Sequence, residues 1–239
     1  MIEHHLLKLR ARDQVGPEEE QALRDAVSEV RTLSADEIVV HAGRVLAFSI
    51  LLLDGIMCRY KDLSEGQRQI TELHVPGDFA DLHSFTLKRL DHNIMTLTPC
   101  RLAIVPHAAL EKITERFPHL TRLLWFTTNL DAAIHREWEV SLGRRSALSR
   151  IAALFCEMKL RLEIVGMTEG LSYDLDLTQT DLAECVGLTP IHVNRTLKEL
   201  REQGLVQFKS GRVTIHDWNG LVRVAEFDPA YLYLEKWQL

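Results

Sequence analysis

Asn194 and Arg195 stand side by side in the run Leu177 to Ile215, and each carries donors and acceptors that the edge of a DNA base can meet. An asparagine amide pairs with adenine through N6 and N7, and an arginine fork pairs with guanine through O6 and N7. Lys198, one helical turn on, is placed for a phosphate, and the turn Lys209-Ser210-Gly211-Arg212 brings two more cations to the same region. Contacts of that second kind position a protein on a duplex without reading it. The chemistry is recognition, not bond breaking.

The elements that must hold these residues can be read from local signals. Leu182, Ala183 and Val186 share one face of a short helix, Gly187 supplies a permissive turn, and Thr189 followed by Pro190 is an N-cap with proline at the first helical position. A second helix then runs to Gly204, with Val193, Leu197 and Leu200 toward a core and Ile191, Asn194, Arg195 and Lys198 turned outward. Two short apolar strands follow, Leu205 to Phe208 and Val213 to Ile215. Helix, turn, capped helix and basic hairpin in that order predict a winged helix-turn-helix. The expected base-reading set is Ile191, His192, Asn194 and Arg195, and the expected phosphate set is Gln179, Thr180, Thr189, Lys198, Lys209 and Arg212.

The chain has 239 residues and a formal net charge of -6, which argues against a histone-like general binder of DNA. Between Val186 and Arg212, however, five cations (Arg195, Lys198, Arg201, Lys209, Arg212) face only Glu199 and Glu202, so positive charge is local. The four cysteines, Cys58, Cys100, Cys156 and Cys185, form no CxxC pair and no zinc spacing. Cys185 has an apolar neighbour on each side of the turn and is expected to be a mostly buried thiol. With no basic-apolar-small leader and no apolar run long enough to span a bilayer, the expectation is a cytoplasmic chain with no membrane partner. The run His135-Arg136-Glu137-Trp138-Glu139 matches no zinc-protease or triad pattern, so neither an enzyme, a metal nor a cofactor is expected.

The N-terminal half has a different grain. Runs of β-formers at Ile38 to Val40, Arg44 to Leu53, Ile56 to Tyr60, Gln69 to Val75, Ile94 to Leu97 and Arg101 to Val105 alternate with turn signals, among them Asp54-Gly55 and Pro76-Gly77-Asp78. That spacing predicts a β-roll or jelly roll. A helical pattern precedes it at Glu18 to Leu33. From Pro118 to Leu142 a long helix carries Leu120, Leu123, Thr127, Leu130, Ile134, Trp138 and Ser141 at heptad spacing, read as a seam for a second copy. Gly143 with Arg144-Arg145 reads as a hinge into a helix from Ser146 to Arg161, whose Ile151, Leu154, Phe155 and Met158 face a second core.

A roll, a long helix, a hinge and a winged helix-turn-helix, with Gly66, Pro76-Gly77-Asp78-Phe79 and the core LTPIHVNRTLKELREQGL, closely resemble the Crp/Fnr family of bacterial transcription regulators. The resemblance implies an α+β chain in three parts: a cyclic-nucleotide-binding-like jelly roll over 1–117, a dimerisation helix and hinge over 118–143, and a winged helix-turn-helix over 144–239. It implies a homodimer on double-stranded DNA with a pseudo-palindromic operator, an effector pocket between roll and helix, and RNA polymerase as a further candidate partner. Where the cyclic-AMP branch has a ribose-binding Glu and a phosphate-binding Arg-Ser pair, this chain has Asp81-Leu82 and His92-Asn93. The iron-sulfur branch needs an N-terminal cysteine cluster, and no cysteine precedes Cys58. The candidate effector pocket is then Asp81, His83, His92, Asn93, His135 and Arg136, with His74 nearby, and the histidines are expected to be hydrogen-bonded packing groups. A competing reading makes the chain a ligand-sensing roll whose C-terminal domain contacts proteins; Asn194, Arg195 and the basic wing favour DNA, because a protein-contact helix exposes apolar anchors.

With Leu82 and His92 in place of the ribose and phosphate ligands, titration calorimetry with cyclic AMP and cyclic GMP should detect no binding at micromolar concentrations of either. Micromolar affinity for one of them would place the pocket residues elsewhere in the chain.

Overall fold

Residues 1–236 are described in the computed structural model of the chain. Their packing divides into two compact units: the first is Met1–Lys61 and Glu72–Ala132 with the described end of the chain from Tyr233, the second Asp62–Thr71 and Ala133–Leu232. Among the described residues no helix is long and apolar enough to cross a membrane.

The first unit opens with helices α1 (Glu3–Arg12) and α2 (Pro17–Asp25), then strands β1 (Glu29–Leu33), β2 (Ile38–Val40), β3 (Phe48–Asp54), β4 (Met57–Asp62) and β5 (Arg68–His74). A short helix α3 (Ser84–Leu87), strands β6 (Asn93–Thr96) and β7 (Cys100–Pro106), helix α4 (His107–Arg116) and the long helix α5 (Pro118–Arg144) follow. The strands form two sheets, ordered β1-β7-β3 and β2-β6-β4-β5. Alternation along them seals Ile50, Leu52, Leu102 and Ile94 into one core. A second core forms where Leu6 and Leu9 of α1, Leu23 of α2, and Leu120, Leu123 and Leu124 of α5 meet Leu51 and Ala103.

Two expectations change here. The helical pattern Glu18 to Leu33 splits, because β1 pairs antiparallel with β7, Val30 opposite Ala103. Val30 and Thr32 suit a pleated strand, and cross-strand pairing overrides a weak 3.6 periodicity. Part of the heptad seam on α5 is also taken, since Leu120 and Leu123 are fully buried in the chain's own core and Ile134 and Trp138 are buried as well, while Thr127, Leu130 and Ser141 are half-buried. A three-four spacing describes any amphipathic helix and does not say whose core the stripe faces. The line that α5 leaves exposed in the first unit is Pro118, Arg122, Trp125, Asn129 and Ala132, with Trp125 at 66% exposure.

α1 was not foreseen, and it explains a glycine. Gly77 sits at φ +92°, and a Cβ there would come 2.7 Å from the carbonyl carbon of His4, because the first turn of α1 crosses the Pro76-Gly77-Asp78 turn. The His5 ring bonds the Gly77 carbonyl oxygen at 2.9 Å, and Lys8 pairs with Asp78. Burial pushes the His5 imidazole down to about 4, so it stays neutral.

The second unit packs α6 (Ala147–Ile164) against helices α7 (Gln179–Val186), α8 (Pro190–Glu202) and α9 (Trp218–Ala225). A small antiparallel sheet, in the order β10-β11-β9-β8, is built from β8 (Thr168–Glu169), β9 (Ser172–Asp174), β10 (Val206–Lys209) and β11 (Arg212–Ile215). A 3-10 turn at Pro229–Leu232 closes it. The long helix runs on through Gly143; the chain breaks at Arg145 and Ser146, where the Ser146 hydroxyl accepts the Ser149 amide at 3.2 Å and starts α6.

Gly77→Ala should destabilise the first unit by about 1–3 kcal/mol, from the positive φ and the displaced α1 turn together. Urea unfolding is the measurement, and a variant as stable as the parent would mean that α1 does not rest on this turn.

Candidate DNA-binding site

The reading helix is positioned by caps at both ends of the turn that precedes it. Thr178 and Asp181 form a reciprocal capping box at the start of α7, with Thr178 Oγ1 accepting the Asp181 amide at 3.1 Å and Asp181 Oδ2 accepting the Thr178 amide at 2.7 Å. α7 ends on Gly187 at φ +64°, the left-handed cap that a side chain resists. Arg150 of α6 donates to the Val186 carbonyl at 3.1 Å, satisfying one end group of α7. Thr189 then caps α8 by accepting the His192 amide at 3.3 Å, with Pro190 at the first position.

On α8 the inward face is Val193, Thr196 and Leu200, all buried, and Leu197 is half-buried. Thr196 was not foreseen there; its hydroxyl is satisfied by donating to the His192 carbonyl at 2.9 Å. The outward face is Ile191, Asn194, Arg195 and Lys198, all exposed, with Ile191 at 84%, while His192 is half-buried beside them. Asn194 Nδ2 donates to Gln179 Oε1 at 3.2 Å, which joins the start of α7 to the reading face. Gln179, Thr180 and Thr189 are all exposed near the two helix N-termini, where backbone N–H groups favour an anion.

The wing is a two-residue hairpin with Ser210 at φ 51° and Gly211 at φ 74°, the conformation that matches strand twist. Lys209 is exposed at its tip. Arg212 is held differently: its guanidinium donates to Asp174 Oδ1 at 2.7 Å and to Glu169, and those two hydrogen bonds, Asp174 first, raise its pKa. The two wing cations are therefore not equivalent, since one is occupied by acids of the neighbouring strands.

The unit behind this face is tied by Glu157, buried in α6, which accepts Trp138 Nε1 at 3.0 Å, Tyr231 OH at 2.8 Å and an Arg161 N–H at 2.9 Å. Tyr173 OH donates to the Phe155 carbonyl at 2.7 Å. Cys185 is buried at 2%, as expected of it.

The expected effector residues are distributed. Asp81 is fully buried, accepts the Ile50 amide at 2.6 Å, and is pushed by burial up to about 7. His83 and His92 stack with ring centroids 5.5 Å apart, and His92 Nδ1 lies 3.0 Å from Asp91, whose carboxyl is held well below its usual range by Lys61 and then His92. Asn93 accepts the Ala42 amide at 2.9 Å. His135 and Arg136 belong to the second unit, and Arg136 is exposed. A hollow of about 350 Å³ lies in the first unit, with Leu82, Phe85, Leu110, Leu124 and Trp125 on its walls.

Sequence reasoning missed Arg59. Its guanidinium is buried and donates to the Ala80 carbonyl at 2.8 Å, to Glu72 at 2.6 Å and to Asp131 of α5 at 2.8 Å. The one available signal was an arginine in the middle of the apolar run Ile56 to Tyr60.

Caps, reading face and wing define a DNA-binding protein of the winged helix-turn-helix class, joined to a sensor-type roll. Residues 149–224 match the Crp-like helix-turn-helix domain and residues 30–117 the cyclic nucleotide-binding domain. The chain is 27% identical over 216 residues to the transcriptional activator protein FnrL of Cereibacter sphaeroides, covering 88% of this chain and 86% of that protein. It is 29% identical over 172 residues to the nitrogen fixation regulation protein FixK of Bradyrhizobium diazoefficiens, covering 70% of this chain and 69% of that one. The structure of FixK2 from Bradyrhizobium japonicum shares the fold at a TM-score of 0.75, with 23% identity over 82% of this chain and 96% of that one. The chain thus carries the two domains of a Crp/Fnr-type DNA-binding transcription regulator, a cyclic nucleotide-binding domain followed by a Crp-like helix-turn-helix.

Replacing the partners of Arg212 by their amides, Glu169→Gln with Asp174→Asn, should release it toward a phosphate and steepen the salt dependence of DNA binding by about 0.9 in log K against log salt. Fluorescence anisotropy over a salt series reads the slope. An unchanged slope would leave Arg212 as a structural cation of the wing.

Proposed function

We propose that this regulator acts in the cytoplasm as a homodimer that binds a pseudo-palindromic operator, reading bases with α8 and responding to an effector other than cyclic AMP. The observation that carries the reading is the outward row of α8: Ile191, Asn194, Arg195 and Lys198 are exposed on a helix whose caps and opposite face fix its orientation in the second unit. Arg195 takes a guanine and Asn194 an adenine, with its amide oriented by Gln179. Ile191 stands where the better-known branches carry a Glu that accepts from cytosine; an isoleucine offers a thymine methyl an apolar contact instead. His192 lies beside this row as a further base contact. Gln179, Thr180, Thr189, Lys198 and Lys209 contact phosphates, and Arg212 joins them once its acid partners yield.

The second copy is expected along the exposed line of α5, at Trp125 and Ala132 beside the hollow, since a large exposed indole next to an apolar hollow favours burial against a partner. Two reading helices related by a two-fold axis meet the same side of the duplex when half-sites lie one helical turn, roughly 10–10.5 base pairs, or a small multiple of it apart. RNA polymerase is the further partner that a regulator of this family would engage.

Selection of binding sites from random DNA tests the assignment. The parent should select an inverted repeat, and Arg195→Ala should lose about 1–3 kcal/mol and relax one guanine position in each half. If Arg195→Ala selects the parental consensus unchanged, Arg195 touches only phosphate and the reading fails; a site without two-fold symmetry would remove the dimer.

A further inference from the structure

An α-helix leaves its last four carbonyls without partners inside the helix, and each buried one must find a donor elsewhere. In α7 all four are accounted for. The Ala183 carbonyl accepts the amide of Gly187 and, at 3.0 Å, that of Leu188. The Val186 carbonyl accepts Arg150 at 3.1 Å. The two between them share one side chain: Gln69 Nε2 lies 2.7 Å from the Glu184 carbonyl oxygen and 3.3 Å from that of Cys185. The same nitrogen donates to the Ile70 carbonyl at 2.8 Å, so that end of the carboxamide meets only acceptors and must be the nitrogen. Cys185 is buried, which leaves its carbonyl little access to water as a substitute donor.

Gln69 comes from far along the chain. It stands near the start of β5, in the segment Asp62–Thr71 that packs in the second unit, and it lies outside the residues 149–224 that match the helix-turn-helix domain. The segment meets α7 with more than this one residue: the Glu184 carboxyl is raised by burial against the pull of Arg68, which pairs with Asp62 at 3.2 Å. Gly187, the left-handed residue after α7, is walled by the same donors. A Cβ on it would come 3.2 Å from Leu142 Cδ2, 3.6 Å from Gln69 Oε1 and 3.8 Å from the Arg150 guanidinium. Only Gly187 and Leu188 separate α7 from Thr189, the cap of α8, so the direction of α8 is set across two residues whose starting point Gln69 and Arg150 hold.

We propose that Gln69 is a positioning residue of the DNA-binding head: its amide closes the carboxyl end of α7, holds the turn Gly187-Leu188 and so fixes the angle at which α8 meets the duplex. The inference rests on the reading of bases by α8 and adds to it a residue that acts only through α7.

Two variants of the full chain test it. Gln69→Leu keeps the bulk and removes both donors, whereas Gln69→Lys brings donors back to the same carbonyls. In hydrogen exchange followed by mass spectrometry, peptides covering residues 183–189 should lose about tenfold in protection in Gln69→Leu, with peptides of α6 unchanged and Gln69→Lys like the parent. Fluorescence anisotropy then compares the duplex that the parent selects from random DNA with a shuffled duplex of the same length. Gln69→Leu should bind the selected duplex about tenfold more weakly and the shuffled one, held by phosphate contacts, as the parent does. Parental protection in Gln69→Leu, protection lost equally in Gln69→Lys, an equal loss on both duplexes, or unchanged affinity for the selected duplex would each overturn the positioning role. A parent that selects no sequence would strike the reading by α8 itself, and the positioning role with it, a result distinct from any that the variants give.

Discussion

A carboxylate taken out of water has to be surrounded by donors, and the second unit is organised by one such group. Glu157 is 2% exposed in the middle of α6, and its partners come from three places: Trp138 on α5, Arg161 on α6 itself and Tyr231 in the closing 3-10 turn. Desolvating the carboxylate costs several kcal/mol, which only a full set of hydrogen bonds and a nearby cation offsets. Losing one partner is therefore expensive, about 3–5 kcal/mol for a broken buried pair, and the three segments are bound to a single geometry. α6 in turn carries Arg150, which closes the end of α7, and the Phe155 carbonyl that receives Tyr173. The placement of α7 and of the small sheet against α6 is thus linked to a buried charge on that helix.

The first unit solves the same problem with the opposite sign. Arg59 is the buried ion there, and its three partners, the Ala80 carbonyl, Glu72 and Asp131, lie on the turn before α3, on β5 and on α5. A guanidinium offers five donors in a fixed plane, so it fixes the direction of each partner as well as its distance. Asp131 is raised to about 7, because burial and then repulsion from the Glu72 carboxylate outweigh the attraction of Arg59. Asp81 lies near this ion; its carboxyl accepts the Ile50 amide and the Ser84 hydroxyl, and burial pushes it up to about 7. One buried guanidinium thus ties β4, β5 and α5 of this unit together.

How much of this the sequence disclosed depends on how far apart the partners lie. The cap Thr189-Pro190, the turn at Gly187 and the hairpin at Ser210-Gly211 involve residues within a few positions of each other and were legible, whereas the equally local box of Thr178 and Asp181 was not read. Arg59 was not, because Asp131 is 72 residues away and nothing local distinguishes a buried arginine from an exposed one. Arg212 looked like Lys209 until Asp174 and Glu169, 38 and 43 residues distant, were seen to hold it. The start of the seam on α5 was misjudged for a related reason: periodicity identifies an apolar stripe, and Leu120 and Leu123 show that its first turns face the chain's own core. The strand at Glu29–Leu33 was lost because its only stabilising partner, β7, lies far along the chain.

The exposed side chains of α8 carry a different kind of information. Burying an isoleucine contributes roughly 1.5–3 kcal/mol, yet Ile191 is left at 84% exposure on the first turn of a helix whose other side is well packed. Its neighbours Asn194 and Arg195 gain little from the fold either: both are exposed, and the contact of Asn194 with Gln179 is itself open to solvent. Stability does not account for their presence at those positions. A row of apolar, amide and guanidinium side chains left facing water on a well-packed helix is not explained by the fold that carries it. The groups it offers, a methyl contact, an amide pair and a guanidinium fork, are those that the edges of bases in a major groove can use.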